Sequence, residues 1–132
     1  LDRSLAIYCD ILGFTIDYQK VSAEDSYSYP VFTFPKAAKL RFATLNSKSQ
    51  ERTMALTEVK GITLPPMPVP RMVAAVINCS EFDDVLKKVA AAGLEVIPPQ
   101  ILPNPDGTAK GRESAFIDPD GHLIVIYVLG DQ

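Results

Sequence analysis

Several side chains able to do acid–base or metal chemistry fall in one stretch, Glu113 to Tyr127. The stretch holds an acid, Glu113, the single histidine, His122, and a phenol, Tyr127. A carboxyl group withdrawn from water has its pKa raised and can then act as a general base; Glu113 has that chemistry if it is buried. Tyr127 offers a hydroxyl to a ligand, or ends at a rim. A lone histidine is too few for a metal centre, which needs three or four ligands, and His122 reads as a solvated turn residue. Around it, two apolar runs flank Asp118-Pro119-Asp120-Gly121, a β-hairpin signal: Pro presets φ for one turn position and Gly supplies φ > 0. Glu58, in Met54-Ala55-Leu56-Thr57-Glu58, is a further acid that meets a site only if its strand register brings it there.

Composition bounds the rest. A chain of 132 residues fits one domain, or two small modules sharing a core, and 47% apolar residues suffice to fill it. A net charge of −3 argues against nucleic-acid binding, which needs clustered Lys and Arg. No apolar run approaches the ~20 residues of a membrane span, so no membrane partner is expected, and no signal peptide is visible. Cys9 and Cys79 are too few for a disulfide framework and read as buried thiols in a reducing cytoplasm.

The elements that must position these groups follow from periodicity. Leu1 to Phe14 predicts a helix with an apolar stripe of Leu1, Leu5, Tyr8 and Leu12, stopped at Gly13. Its start at the first residue suggests that a preceding strand is missing from the chain. Thr15 to Val21 predicts a strand. Ser22 to Pro35 crowds Tyr27, Tyr29, Phe32 and Phe34 into a long connection, which is either a binding loop or a lid packing its aromatics on the core. Lys39 to Asn46 and Arg52 to Val59 predict a hairpin, with Leu40, Phe42 and Thr44 on one face and Arg41, Ala43 and Leu45 on the other. Leu64 to Pro70 reads as a stiff proline-rich linker.

Beyond the linker, Met72 to Cys79 predicts a strand and Ser80 an N-cap with Asp83 in the first turn. The helix that follows carries a stripe of Phe82, Val85, Leu86 and Val89 and ends at Gly93. Leu94 to Ile97 predicts a strand, Pro98 to Gly111 a loop, and two strands surround the Asp-Pro-Asp-Gly turn. The halves match, helix-strand-strand-strand against strand-helix-strand-strand-strand, and both helices end alike, in Leu12-Gly13-Phe14 and Ala92-Gly93-Leu94. The expected fold is α+β: residues 1–63 a first module, 64–70 the linker, 71–132 a second module, with their curved sheets forming a cup.

The first helix, Leu1-Asp2-Arg3-Ser4-Leu5-Ala6-Ile7-Tyr8 through Leu12-Gly13-Phe14, together with Asp118-Pro119-Asp120-Gly121-His122 and Gly93, resembles the vicinal-oxygen-chelate superfamily of glyoxalase I, extradiol dioxygenases and the bleomycin- and fosfomycin-resistance proteins. The resemblance implies paired βαβββ modules around one cup, with the first strand of module 1 absent, and a homodimer. It also implies metal ligands on facing strands. The ligand four residues after the turn Gly falls on Val125, another near Met72 or Ala74, and another near Ala55, none of which binds a hard cation. His122 occupies a turn position where relatives also carry a His without ligating metal.

No family-type metal is therefore expected; a divalent ion held partly by Glu58 or Glu113 is the alternative. If Val125 faces the cup, Leu123 and Tyr127 do too. The family pattern turns Glu113 and Ala115 inward, with Ala74, Val76 and Asn78 from the second module, Ala55 and Thr57 from the first, and Arg41 as a further candidate. Glu113 is then either a base or, as favoured, an ion-pair partner of Arg41. The expected function is binding of a hydrophobic or aromatic small molecule in that cup, with a lyase or dioxygenase of rearranged metal site as the alternative.

Overall fold

The computed structural model describes residues 1–130 and divides them into two compact units, one spanning Leu1–Pro66 and the other beginning at Met67. In the first, helix α1 (Asp2–Leu5) runs on into a π-helical turn, Ala6–Ile11. The wider turn, with the Leu12 N–H on the Ile7 carbonyl at 3.0 Å, rotates the buried side of the helix. Ile7 and Tyr8 are buried, whereas Leu1, Leu5 and Leu12 of the expected stripe are only half-buried. Tyr8 belongs to the expected stripe; the π turn adds Ile7 beside it on the buried side.

Three strands follow, β1 (Thr15–Val21), β2 (Lys39–Asn46) and β3 (Met54–Lys60), as an antiparallel sheet in the order β1-β2-β3. Arg41 lies opposite Glu58, Phe42 opposite Thr57 and Thr44 opposite Ala55. Directly opposed residues share a face, so Phe42, Thr44, Ala55 and Thr57 stand on one side and Arg41 and Glu58 on the other. The long β1–β2 connection contains a short helix, α2 (Ser28–Phe32), closed by Thr33 in the left-handed region. It is anchored by a small apolar cluster of Tyr29, Ala38 and Leu40, with Phe34, Val59 and Ile62 against it. The Tyr29 hydroxyl, buried with its ring, donates to the Ala38 carbonyl at 2.9 Å.

The second unit is built from β4 (Ala74–Asn78), α3 (Phe82–Ala91), β5 (Val96–Pro103), β6 (Ala109–Ile117) and β7 (Leu123–Leu129). Its sheet runs β4-β7-β6-β5, with β4 parallel to β7 and the other pairs antiparallel. Phe82, Val85 and Val89 are buried on α3, which packs on β5 and β7, and Phe116, Ile124, Ile126 and Val128 are buried on the strands. Ser80 does not cap this helix: Glu81 holds the N-cap position, and no side-chain bond is made there.

The expected loop from Pro98 to Gly111 is largely strand. β5 is an edge strand, where prolines need not donate to a ladder, and a register irregularity between Ile97 and Gln100 accommodates Pro98 and Pro99. Only a tight turn remains, with the Asn104 N–H on the Thr108 carbonyl at 2.7 Å. At the other turn, the buried Asp118 carboxylate accepts from the N–H groups of Asp120 (2.9 Å) and His122 (2.8 Å), and Gly121 takes φ +89°. The fold is α+β, with few helices and two sheets of three and four strands.

Gly111 exposes a constraint invisible in its sequence context. A Cβ placed there would lie 2.0 Å from the Val128 carbonyl oxygen of the neighbouring strand. Gly111→Ala is expected to destabilise the protein by roughly 1–3 kcal/mol through forced strand separation, read as a lower denaturation midpoint in urea. An unchanged midpoint would mean that β6 and β7 can part at no cost.

Candidate functional site

Strand register places most of the expected binding residues of the second unit on one face. Val125 of β7 lies opposite Val76 of β4 and Ala115 of β6, and Ala115 in turn opposite Ile97 of β5. One row to the side, Leu123 lies opposite Ala74 and Ile117. On the other side, Tyr127 lies opposite Asn78 and Glu113, and Glu113 opposite Gln100. The alternate residues Ile124, Ile126 and Val128 are the buried ones, so these three rows form the face turned away from the core. The face is apolar over two rows and polar over the third. Glu113 is half-buried and accepts a 2.6 Å hydrogen bond from the Gln100 amide.

The first unit's residues separate. Ala55 and Thr57 share a face with Phe42 and Thr44, but Arg41 points to the opposite, α1 side of the sheet. There its guanidinium meets Asp2 at 3.2 Å and Glu58 at 3.1 Å. Arg41 is therefore not a companion of Ala55 and Thr57; its ion pairs within this unit are made with Glu58 and Asp2. A register displaced by one residue would have inverted this, and hydrophobic pattern alone did not fix it.

Glu58 is correspondingly engaged. One oxygen accepts from the Leu1 amino group at 2.6 Å and from Arg41; the other lies 3.4 Å from the Lys60 ammonium. The bond from the amino group, then that from Arg41, lower its pKa from 4.5 to about 2.

A cavity of about 440 Å³ opens on the Phe42 side of the first unit's sheet. Lys20 and Phe42, opposite each other on β1 and β2, form one wall. Ala23, Asp25, Ser26, Tyr27, Ser28, Val31 and Phe32 form the other. Residues of the aromatic segment thus divide between the two expected roles. Tyr29 and Phe34 pack inward, whereas Tyr27 is 80% and Phe32 55% exposed at the cavity. The Lys20 ammonium stands 5.7 Å from the centre of the Phe42 ring, and Tyr18 meets the same ring edge-on at 5.7 Å. Lys20, Asp25, Tyr27, Phe32 and Phe42 were not among the expected site residues. The crowding of aromatics between Ser22 and Pro35 was the signal for them; which ones turn inward depends on α2.

A model of the Glyoxalase/Bleomycin resistance protein/Dioxygenase superfamily matches residues 1–126. Among solved structures, the chain is similar to a glyoxalase family protein from Bacillus cereus, at 14% identity over 98% of this chain and 87% of that one, with a TM-score of 0.76. It is also similar to TnmS3, an antibiotic binding protein from a Streptomyces species, at 18% identity over 98% and 86% of the chains, with a TM-score of 0.59. A third is FosX, a genomically encoded fosfomycin resistance protein from Listeria monocytogenes, at 19% identity over 98% and 84%, with a TM-score of 0.54. At such identities the likeness shows the fold. None of the curated proteins compared with the chain matches it.

The depressed pKa of Glu58 makes its ion pairs a source of pH-dependent stability. A carboxyl group more acidic when folded contributes above its ordinary pKa and loses that contribution as pH falls through the folded value. Stability is expected to decline between pH 4.5 and about 2 more steeply in the wild-type chain than in Glu58→Gln, measured by urea denaturation. Parallel pH profiles would show that Glu58 is no better held in the folded state than in the unfolded one.

Proposed function

Because the chain belongs to the Glyoxalase/Bleomycin resistance protein/Dioxygenase superfamily, we propose that it binds a hydrophobic or aromatic small molecule and holds no superfamily-type metal. The observation that carries this reading is the 440 Å³ cavity walled by Tyr27, Val31, Phe32 and Phe42. Its volume lies in the range of small-molecule sites, and an apolar lining with a few polar groups is their usual make-up. The open face of the second unit's sheet, apolar along Val76, Val125, Ala115 and Ile97, has the same character. TnmS3, similar in fold, binds an antibiotic by its description, which supports a small organic ligand.

The donor set argues for the second half of the proposal. The superfamily pattern asks for a carboxylate where Val125 stands, and Val125 has only Val76 and Ala115 beside it in register. Among the described residues no three His, Cys, Asp or Glu side chains gather at one place. Glu58 is held by cations on both oxygens. Residues of this kind do not fit a hard divalent ion, which needs several oxygen or nitrogen donors. Among the described residues, no helix is long and apolar enough to cross a membrane.

Two measurements test the reading. Protein expressed with Ni, Zn, Fe and Mn supplements and then dialysed is expected to retain only substoichiometric metal; one ion per chain would overturn the metal-free half. Titration with 2-naphthol is expected to raise the melting temperature in proportion to occupancy and to quench tyrosine emission, the chain having no Trp. Phe32→Ser is expected to weaken that binding about tenfold, the order of one lost aromatic contact. Absence of any naphthol-dependent shift would sink the binding half.

A further inference from the structure

The cavity of the first unit carries two opposite charges on opposite walls. Lys20 extends from the sheet wall, its ammonium over the Phe42 ring. Asp25 stands on the facing segment, within a turn closed by the Ser26 N–H on the Ala23 carbonyl at 3.0 Å. The turn is held again by the Tyr29 N–H on the Ser26 carbonyl at 3.1 Å. That segment is anchored at both ends of α2: Tyr29 is sunk in the apolar cluster, and the Lys36 ammonium reaches back to the Glu24 carbonyl. Among the described residues neither Lys20 nor Asp25 forms an ion pair, with each other or with any third group. Both side chains nevertheless line the same cavity.

Between and around them are aromatic and aliphatic surfaces, Tyr27, Phe32, Phe42 and Val31. A purely apolar guest would leave both charges unmatched. A purely anionic guest would match Lys20 and be opposed by Asp25; a cationic guest would meet the reverse. A guest bearing both signs on an aromatic frame matches every wall. We propose, resting on the binding reading above, that this cavity takes an amphoteric aromatic molecule: its acidic group on Lys20, its basic group on Asp25, and its ring among Tyr27, Phe32 and Phe42. The pairing of guest charges with wall charges also gives directionality, since reversing the guest would set like charges together.

The test compares guests of one ring with different charges. The probes are 4-(aminomethyl)benzoate and phenylalanine, which carry both signs far apart and close together, with benzoate, benzylamine and benzyl alcohol as controls. Affinities come from calorimetric titration at low and high salt. At least one doubly charged probe is expected to bind tenfold or more tightly than any control, with the advantage shrinking at high salt as exposed charges are screened. Lys20→Gln is expected to remove the advantage over benzylamine, and Asp25→Asn the advantage over benzoate. Both side chains are exposed, so neither substitution should alter folding, which an unchanged melting temperature confirms. Benzoate or benzylamine binding as well as both doubly charged probes would overturn the proposal. If 2-naphthol binds but charge makes no difference, only the amphoteric assignment falls. If neither naphthol nor any of these probes binds, the binding function falls and takes this assignment with it.

Discussion

Cross-strand register governs what each face of this protein presents. In the second unit, β6 and β7 pair so that Ser114, Phe116, Ile124, Ile126 and Val128 are buried. That single choice leaves Glu113, Ala115, Val125 and Tyr127 on the opposite face. A slip of β7 by one residue would send Ile124 and Ile126 to the outside, losing apolar burial worth roughly 1.5–3 kcal/mol per large side chain. The close approach at Gly111, which has no room for a Cβ, belongs to the same pairing.

The first unit shows the same constraint acting on charge. With Arg41 opposite Glu58, both side chains stand on the α1 side, where Asp2 completes the network. The residues one step along, Phe42 and Thr57, face the cavity side instead. The charge network and the cavity therefore lie on opposite faces of one three-stranded sheet. The β1–β2 connection adds the cavity's other wall. Its anchor, Tyr29 with its hydroxyl bond to the Ala38 carbonyl, uses the aromatic content of the segment for packing, and this frees Tyr27 and Phe32 to line space. Core-packing and cavity-lining side chains are here divided residue by residue within one short helix and its flanks.

Much of this was legible along the chain. Alternation in Lys39–Asn46 and Leu123–Leu129, the apolar stripe of α3, the stops at Gly13 and Gly93, and the Asp-Pro-Asp-Gly hairpin are local patterns, and local patterns survive into the fold because backbone geometry sets their period. Less legible were the π turn of the first helix, the passage of β5 through Pro98 and Pro99, and the capping of α3. The first two depend on a neighbour: a helix face meeting a core and an edge of a sheet.

The sequence by itself determined the family, the α+β class and the alternating faces of most strands, because these follow from residue type and spacing. Tertiary structure alone decided that Arg41 joins Glu58 and Asp2 on the face opposite Ala55 and Thr57. It likewise decided that Tyr29 sinks while Tyr27 and Phe32 line a cavity, and that Lys20 and Asp25 line the same space without an ion pair among the described residues. The physical reason is that these outcomes turn on which strands lie side by side and in which register, and such distances between residues remote in sequence are set only when the whole sheet closes on its core.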